Sequence, residues 1–162
     1  RETYEFLDHN PEVEMRSNGW VNNPYNIGMN DNVVSINSAI AVDLTGQVCA
    51  ESIGMRQYSG AGGHCDFTRG ARISEGGQSF IAFYSTYNKK DGSIGSKINL
   101  ALPLGSIVTT RRNDVDCIVT EYGIAQMKYR TIEQRARALI SIAHPDFRDE
   151  LFFGAKKAGM IY

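Results

Sequence analysis

The sequence is short of the features that announce most specialised proteins. Its 162 residues carry no apolar run long enough to cross a membrane, which excludes a spanning helix. There is no excess of either charge: 17 Lys and Arg against 18 Asp and Glu leave a formal net charge of −1, so no basic surface points to nucleic acid and no acidic tail is present. Three cysteines, Cys49, Cys65 and Cys117, are widely spaced and form no C-x-x-C. An odd, unpatterned set predicts free thiols in a reducing compartment and a cytoplasmic location, not a disulfide framework. His64 and Cys65 are neighbours, and neighbours in an extended segment point to opposite sides, so no metal site is expected from them. No G-x-S-x-G elbow, G-x-x-x-x-G-K-[ST] loop or G-x-G-x-x-G fingerprint occurs, which leaves a serine hydrolase, a P-loop and a standard dinucleotide fold without support. No secretory signal, internal repeat or low-complexity stretch is readable. The chain opens "RETYEF" without a methionine, which predicts a piece of a longer protein.

What is present reads as one ordinary globular domain: 42% apolar and 22% charged residues, at a length that can bury a real core. Residues 2–9 predict a short helix that ends before Asn10-Pro11. Residues 16–32, rich in Asn and Gly and holding Pro24, predict loop. In "VVSINSAIAVDL", Ile40, Val42 and Leu44 alternate, "DLTGQV" supplies a turn and "QVCAESIG" a partner strand, so a hairpin is expected. "SFIAFYSTY" is aromatic-rich and predicts a strand. "NKKDGSIGSK" reads as a polar turn, and "SIVTT" and "DVDCIVT" as two further strands. The plainest helix is "TIEQRARALISIAH", with Thr131 and Gln134 placed for a capping box and Ile132, Ala136, Leu139, Ile140 and Ala143 on one face. Pro145 stops it. Asp146 is the expected cap of a last helix over "DFRDELFFGAKKAG", with Gly159 at its C-terminal end. Strands followed by a helical pair favour an α/β layered domain over an all-β barrel.

The stretch with chemical promise is "SGAGGHCDF", residues 59–67, where Gly60, Gly62 and Gly63 precede a helix expected to be capped by Asp66. Glycine is costly to order, so a cluster of it has a geometric reason. One reading is a plain turn. The other is a strand, Gly-rich turn and helix whose unpaired N–H groups face a phosphate or an oxyanion. Further candidates stay open beside their plainer readings. Cys65 is a thiol near a helix start or a small buried residue. Glu121 is a base at a strand end or a helix-start glutamate. Arg111 and Arg112 hold phosphate or are solvated, and His144 is structural.

Four long strings carry a resemblance: "NDNVVSINSAIAVDLTGQV", "ESIGMRQYSGAGGHCDFTRGA", "RRNDVDCIVTEYGIAQMK" and "EQRARALISIAHPDFRDEL". Together they make the chain resemble the C-terminal domain of the acetyl-CoA hydrolase/transferase family, most closely its 4-hydroxybutyrate and butyrate CoA-transferases, over nearly its whole length. The resemblance implies an α/β fold of the CoA-transferase type, with a mainly parallel sheet flanked by helices. It implies coenzyme A as substrate and no metal, and acyl-CoA and small carboxylic acids as partners. It also implies an N-terminal domain of the same enzyme and a homo-oligomer, with no nucleic acid and no membrane. The implied reaction moves CoA between carboxylic acids: a glutamate attacks the acyl-CoA thioester, an acyl-glutamyl anhydride forms, and CoA thiolate converts it to a glutamyl-CoA thioester. Hydrolysis by water, or a CoA-binding module without catalysis, are the alternatives. Gly62 and Gly63 match the double glycine that gives the family a backbone oxyanion donor, with Gly60 in the same loop. Asn23, or its neighbour Asn22, matches a CoA-contacting Asn, and Lys90 in "KKDG" matches a Lys near the CoA phosphates. Position 64 departs from the pattern, since relatives usually hold Gln there, and this touches acyl-chain preference. The nucleophilic glutamate belongs to a segment N-terminal to this domain, and neither Glu51 nor Glu121 takes its place.

Overall fold

A computed structural model describes the chain from Arg1 to Tyr162. Three short helices come first: α1 Glu2–Leu7, α2 Asn18–Val21 and α3 Pro24–Gly28. The last two fall in the stretch whose composition predicts loop. The reason is capping. The Asn23 side chain accepts a hydrogen bond from the Tyr25 N–H at 2.9 Å, and Pro24 sits at the first helical position, where its missing N–H costs nothing. The proline that reads as a breaker therefore opens a helix.

Strand β1 Val34–Asn37 follows, then β2 Ala41–Asp43 and β3 Val48–Cys49, which form the hairpin expected around "DLTGQV". A tight pair, β4 Ser52–Ile53 and β5 Arg56–Gln57, leads into the glycine loop and α4 His64–Ile73. Strand β6 Gln78–Ala82 takes only the first half of the aromatic run. Ser85 then turns its N–H and hydroxyl to the Glu121 carboxylate, and the chain re-forms as the hairpin β7 Thr86–Asn88 and β8 Ile94–Ser96, followed by β9 Ile98–Asn99. "SIVTT" makes no strand. It contributes a single bridge, Thr110 to Val48, while the Thr109 hydroxyl accepts from the Ala50 N–H at 2.9 Å. Strand β10 Cys117–Thr120 is as expected, but its antiparallel partner β11 Gly123–Gln126 has no signal in the sequence reading.

Helix α5 Ile132–Ser141 carries the predicted capping box, with Thr131 and Gln134 bonded reciprocally. In α6 Pro145–Lys157 the cap is His144 and not Asp146: its Nδ1 accepts from the Asp146 N–H at 3.3 Å, and Pro145 opens the helix. Gly159, at φ +69°, ends it as expected.

The larger sheet runs β1-β6-β10-β11, with β1, β6 and β10 parallel and β11 antiparallel to β10. A second sheet runs β3-β2-β9 and also mixes the two senses. The α/β class holds, with parallel pairing limited to β1-β6-β10 and β2-β9 and antiparallel pairing elsewhere. Tight hairpins, which can only be antiparallel, make the domain mixed. Ile81, Ile118 and Ala125 of the larger sheet meet Val42, Val48 and Ile98 of the smaller one and Ala136, Leu139 and Ile140 of α5 in one core. Each large side chain buried there contributes about 1.5–3 kcal/mol. Helix α4 lies against β1 and β6, and its N-terminus therefore comes up beside the carboxyl ends of parallel strands, where open α/β sheets place ligands.

Candidate functional site

The glycine loop enters α4 three residues earlier than the sequence suggests. Gly63, at φ −88° and ψ 12°, is the N-cap, and Asp66 lies in the first turn instead of capping it. The three glycines have different reasons. Gly62 adopts φ +54°, a left-handed conformation that costs an L side chain roughly 1–2 kcal/mol. Gly63 needs space instead: a Cβ there would stand 2.7 Å from the Asn22 amide nitrogen and 3.1 Å from the Phe67 ring. Gly60 faces open space with an ordinary φ. The first hydrogen bond of the helix is donated by the Phe67 N–H to the Gly63 carbonyl at 3.0 Å, and the N–H groups of Gly62 through Asp66 find no acceptor within the protein. A row of free donors at the positive end of a ten-residue helix is suited to hold a negative oxygen.

Two side chains at the start of α4, the buried His64 and the half-buried Cys65, fix this loop in place. The His64 Nε2 lies 3.0 Å from the Ser38 carbonyl and its Nδ1 2.8 Å from the Thr110 hydroxyl. A carbonyl only accepts, so Nε2 carries the proton and Nδ1 accepts from Thr110. Burial lowers the His64 pKa from 6.5, outweighing the Ser38 bond and the nearby Glu51, and the ring is neutral near neutral pH. The Cys65 thiol donates to the Thr109 carbonyl. It is thereby a half-buried link and not a free nucleophile. The Glu51 carbonyl accepts from the N–H groups of Tyr58 and Ser59, at 2.8 and 3.1 Å, and anchors the near end of the loop.

Beside the loop, at the carboxyl ends of β1, β6 and β10, lies a cleft of about 420 Å³ lined by Ser38, Phe83, Tyr84, Lys97, Thr120 and Glu121, among others. The Glu121 carboxylate accepts from the Ser85 N–H at 2.8 Å and the Ser85 hydroxyl at 2.6 Å. Burial pushes its pKa up, but the two Ser85 bonds, with His144 nearby, hold it below the usual carboxylate range. Ser38 joins the two places, for its carbonyl holds His64 while the residue itself lines the cleft.

The other residues singled out by sequence lie as follows. Asn23 spends its side chain on capping α3, and it is Asn22 whose amide reaches Gly63. Lys90 is exposed at the tip of the β7–β8 hairpin, without a hydrogen bond or ion pair. Arg111 is exposed, and Arg112 lends its carbonyl to Arg135. No group of three or more His, Cys, Asp or Glu side chains is placed to hold a metal ion. Sequence reasoning gave no role to Ser38, Ser85, Lys97 or Thr110. Their parts depend on contacts across the chain, such as the 46-residue separation of His64 and Thr110, which no local spacing records.

Residues 1–155 match the family described as the acetyl-CoA hydrolase/transferase C-terminal domain. The chain is 54% identical over 157 residues to a 4-hydroxybutyrate coenzyme A transferase of Clostridium kluyveri, covering 97% of this chain and 36% of that protein. It is 53% identical to a succinyl-CoA:cyclohexane-1-carboxylate CoA transferase of Geobacter metallireducens, covering 98% of this chain and again 36% of the relative. The crystal structure of RipA from Yersinia pestis superposes with a TM-score of 0.86 at 44% identity, over 99% of this chain and 35% of RipA. The chain thus spans just over a third of the length of the relatives it matches. No helix is long and apolar enough to cross a membrane.

Proposed function

The chain belongs to the acetyl-CoA hydrolase/transferase family, as its C-terminal domain, and on that premise we propose that it is the oxyanion-holding half of an enzyme that moves CoA between a short-chain acyl-CoA and a carboxylate. The observation that carries the reading is the loop at α4: free N–H groups from Gly62 onward, a left-handed Gly62, and a Gly63 whose Cβ would crowd the Asn22 amide. A thioester carbonyl laid over this loop meets only backbone. As a nucleophile adds, the oxygen gains charge, and a preorganised N–H donor there contributes on the order of 3 kcal/mol to the transition state. The neutral His64, tied to Ser38 and Thr110, keeps the donors aimed while itself staying out of the proton traffic. Asn22, against Gly63, is the amide that would contact the CoA arm, with Asn23 shaping the turn that presents it. Lys90, exposed and unpaired, would meet CoA phosphate as a mobile cation.

The nucleophile is assigned to a glutamate outside this chain, passing through a glutamyl-CoA thioester, with 4-hydroxybutyryl-, butyryl- or acetyl-CoA as donors. Glu121 is exposed, ionised and held by two Ser85 bonds; it lines the cleft as a fixed negative charge. The test mixes butyryl-CoA and acetate with the 162-residue chain and, separately, with the full-length enzyme, following acetyl-CoA. The full-length enzyme is expected to turn over at a typical rate, on the order of 10 per second, and this chain alone not at all, because covalent catalysis needs the missing carboxylate. Thioester loss by the full-length enzyme that is independent of acetate would make it a hydrolase. Turnover by the isolated chain would overturn the division of labour.

A further inference from the structure

The two faces of the four-stranded sheet are unlike. Ser35, Ser79, Ile81, Ile118 and Ala125 point into the core and are buried. The register places Val34 and Ile36 from β1, Phe80 and Ala82 from β6, Val119 from β10 and Ile124 from β11 on the opposite face. There Ile36 is 72% exposed, Ile124 64% and Val34 59%. The remaining positions on this face are Gln78, Cys117 and Gln126, so it carries no charge at all. Four strands about 4.8 Å apart and four or five residues long present an apolar plate of roughly 19 by 13 Å or slightly more, wide enough for one or two helices. A charge-free plate of this kind is an interaction surface and not a solvated one.

We infer that this face is the seat of the polypeptide that precedes the domain in the full-length enzyme, laid across β1, β6, β10 and β11 as one or two amphipathic helices. The inference rests on the reading that the chain is part of a longer CoA-transferase. Three observations select this occupant. Strands β1, β6 and β10 are parallel, and parallel sheets are covered on both faces, by helices, because the crossovers between their strands put helices there. Helix α4 lies against β1 and β6 and α5 against β11, yet Val34, Ile36 and Ile124 on the opposite face stay exposed, so the second layer must come from elsewhere. The matched relatives hold nearly two thirds of their length outside the matched region, which is described as C-terminal. A second copy of the same face would stack sheet on sheet, an arrangement that parallel sheets rarely use.

Cysteine labelling tests this without reference to catalysis. Ile36→Cys, and separately Ile124→Cys, is introduced into the full-length protein, and maleimide modification of that residue is followed by mass spectrometry in the native state and in urea. Both substitutions keep a small apolar side chain, so the fold is retained. The native rate at each position is expected to be at least about 100-fold below the urea rate, since a buried thiol reacts only on transient opening. Equal native and denatured rates would overturn the inference. So would protection that vanishes on dilution, which identifies a second copy as the cover. A reactive Ile36→Cys in an active transferase would sink the docking face alone, whereas a protected one in a protein that turns over no acyl-CoA would sink the proposed function alone.

Discussion

Two glycine turns in this molecule keep their polar groups in opposite ways. In the β2–β3 turn, Gly46 sits at φ +91° and every donor nearby is used. The buried Asp43 carboxylate accepts from the Thr45 N–H and hydroxyl, at 2.9 and 2.7 Å, and from the Gln47 N–H and amide, at 3.1 and 2.7 Å. The Gly46 N–H goes to the Asp43 carbonyl at 2.9 Å. Arg135 reaches in from α5 and donates to the Thr45, Arg112 and Arg130 carbonyls, at 3.1, 2.7 and 3.2 Å. The turn before α4 has the same kind of left-handed glycine, Gly62, yet leaves five successive N–H groups without an acceptor. A turn whose only task is to reverse the chain closes its hydrogen bonds. One that leaves them open, on a helix held rigid by His64 and Cys65, has donors to offer.

The largest expected effect follows from filling the open turn. Gly63→Val in the full-length enzyme pushes a side chain toward the Asn22 amide and the Phe67 ring, both of which can shift, and obstructs the site over the free N–H groups. We expect kcat to fall by roughly 100-fold or more, in line with loss of an oxyanion donor, while thermal melting shows a folded protein. A variant that is folded and fully active would erase the contrast and reduce both glycine turns to chain reversals.

The closed turn should respond the other way. Asp43→Ala strips four hydrogen bonds from a residue that is 2% exposed. A loss of about 2–3 kcal/mol is expected for leaving those half-buried donors unsatisfied, and the melting temperature should drop by roughly 4–12 °C for a domain of this size. The kcat per folded molecule should not change. If instead Asp43→Ala leaves melting intact and damages kcat, the β2–β3 turn belongs to the site and the comparison fails from its other side.

The closed turn was also the legible one. A hairpin at "DLTGQV" needs only an alternating strand, a glycine and a polar pair, and the capping box of Thr131 and Gln134 is equally local. The open turn was legible as a helix start rich in glycine, but its boundary was not, because Gly63 caps with no side chain to announce it while Asp66 supplied a misleading one. Asn22 and Asn23 are indistinguishable in sequence; the structure separates them because Pro24 forces a helix that consumes Asn23. β11 was missed since "EYGIAQMK" is short and its pairing depends on the turn at Gly123, at φ +139°. The anchoring of the loop through Ser38 and Thr110 was beyond any local pattern.

The smallest effect expected concerns the anchor between the two halves of the site. His64 is neutral because burial lowers its pKa below the ordinary 6.5. The unfolded chain therefore binds this proton more readily than the folded one, so His64 contributes stability that is present above pH 6.5 and is lost as pH falls toward the folded pKa. His64→Gln removes the titration, and a glutamine amide can donate to the Ser38 carbonyl and accept from the Thr110 hydroxyl as the neutral ring does. The expectation is that the variant melts close to the parent at pH 7.5 but loses less on acidification from pH 7.5 to 5.5, with kcat at pH 7.5 within about three-fold of the parent because the oxyanion donors are backbone. Thermal melts of both proteins across that range decide it. An identical pH dependence would mean that the ring is not held neutral by its surroundings, and a large loss of kcat at pH 7.5 would move His64 from the support of the loop into the chemistry itself.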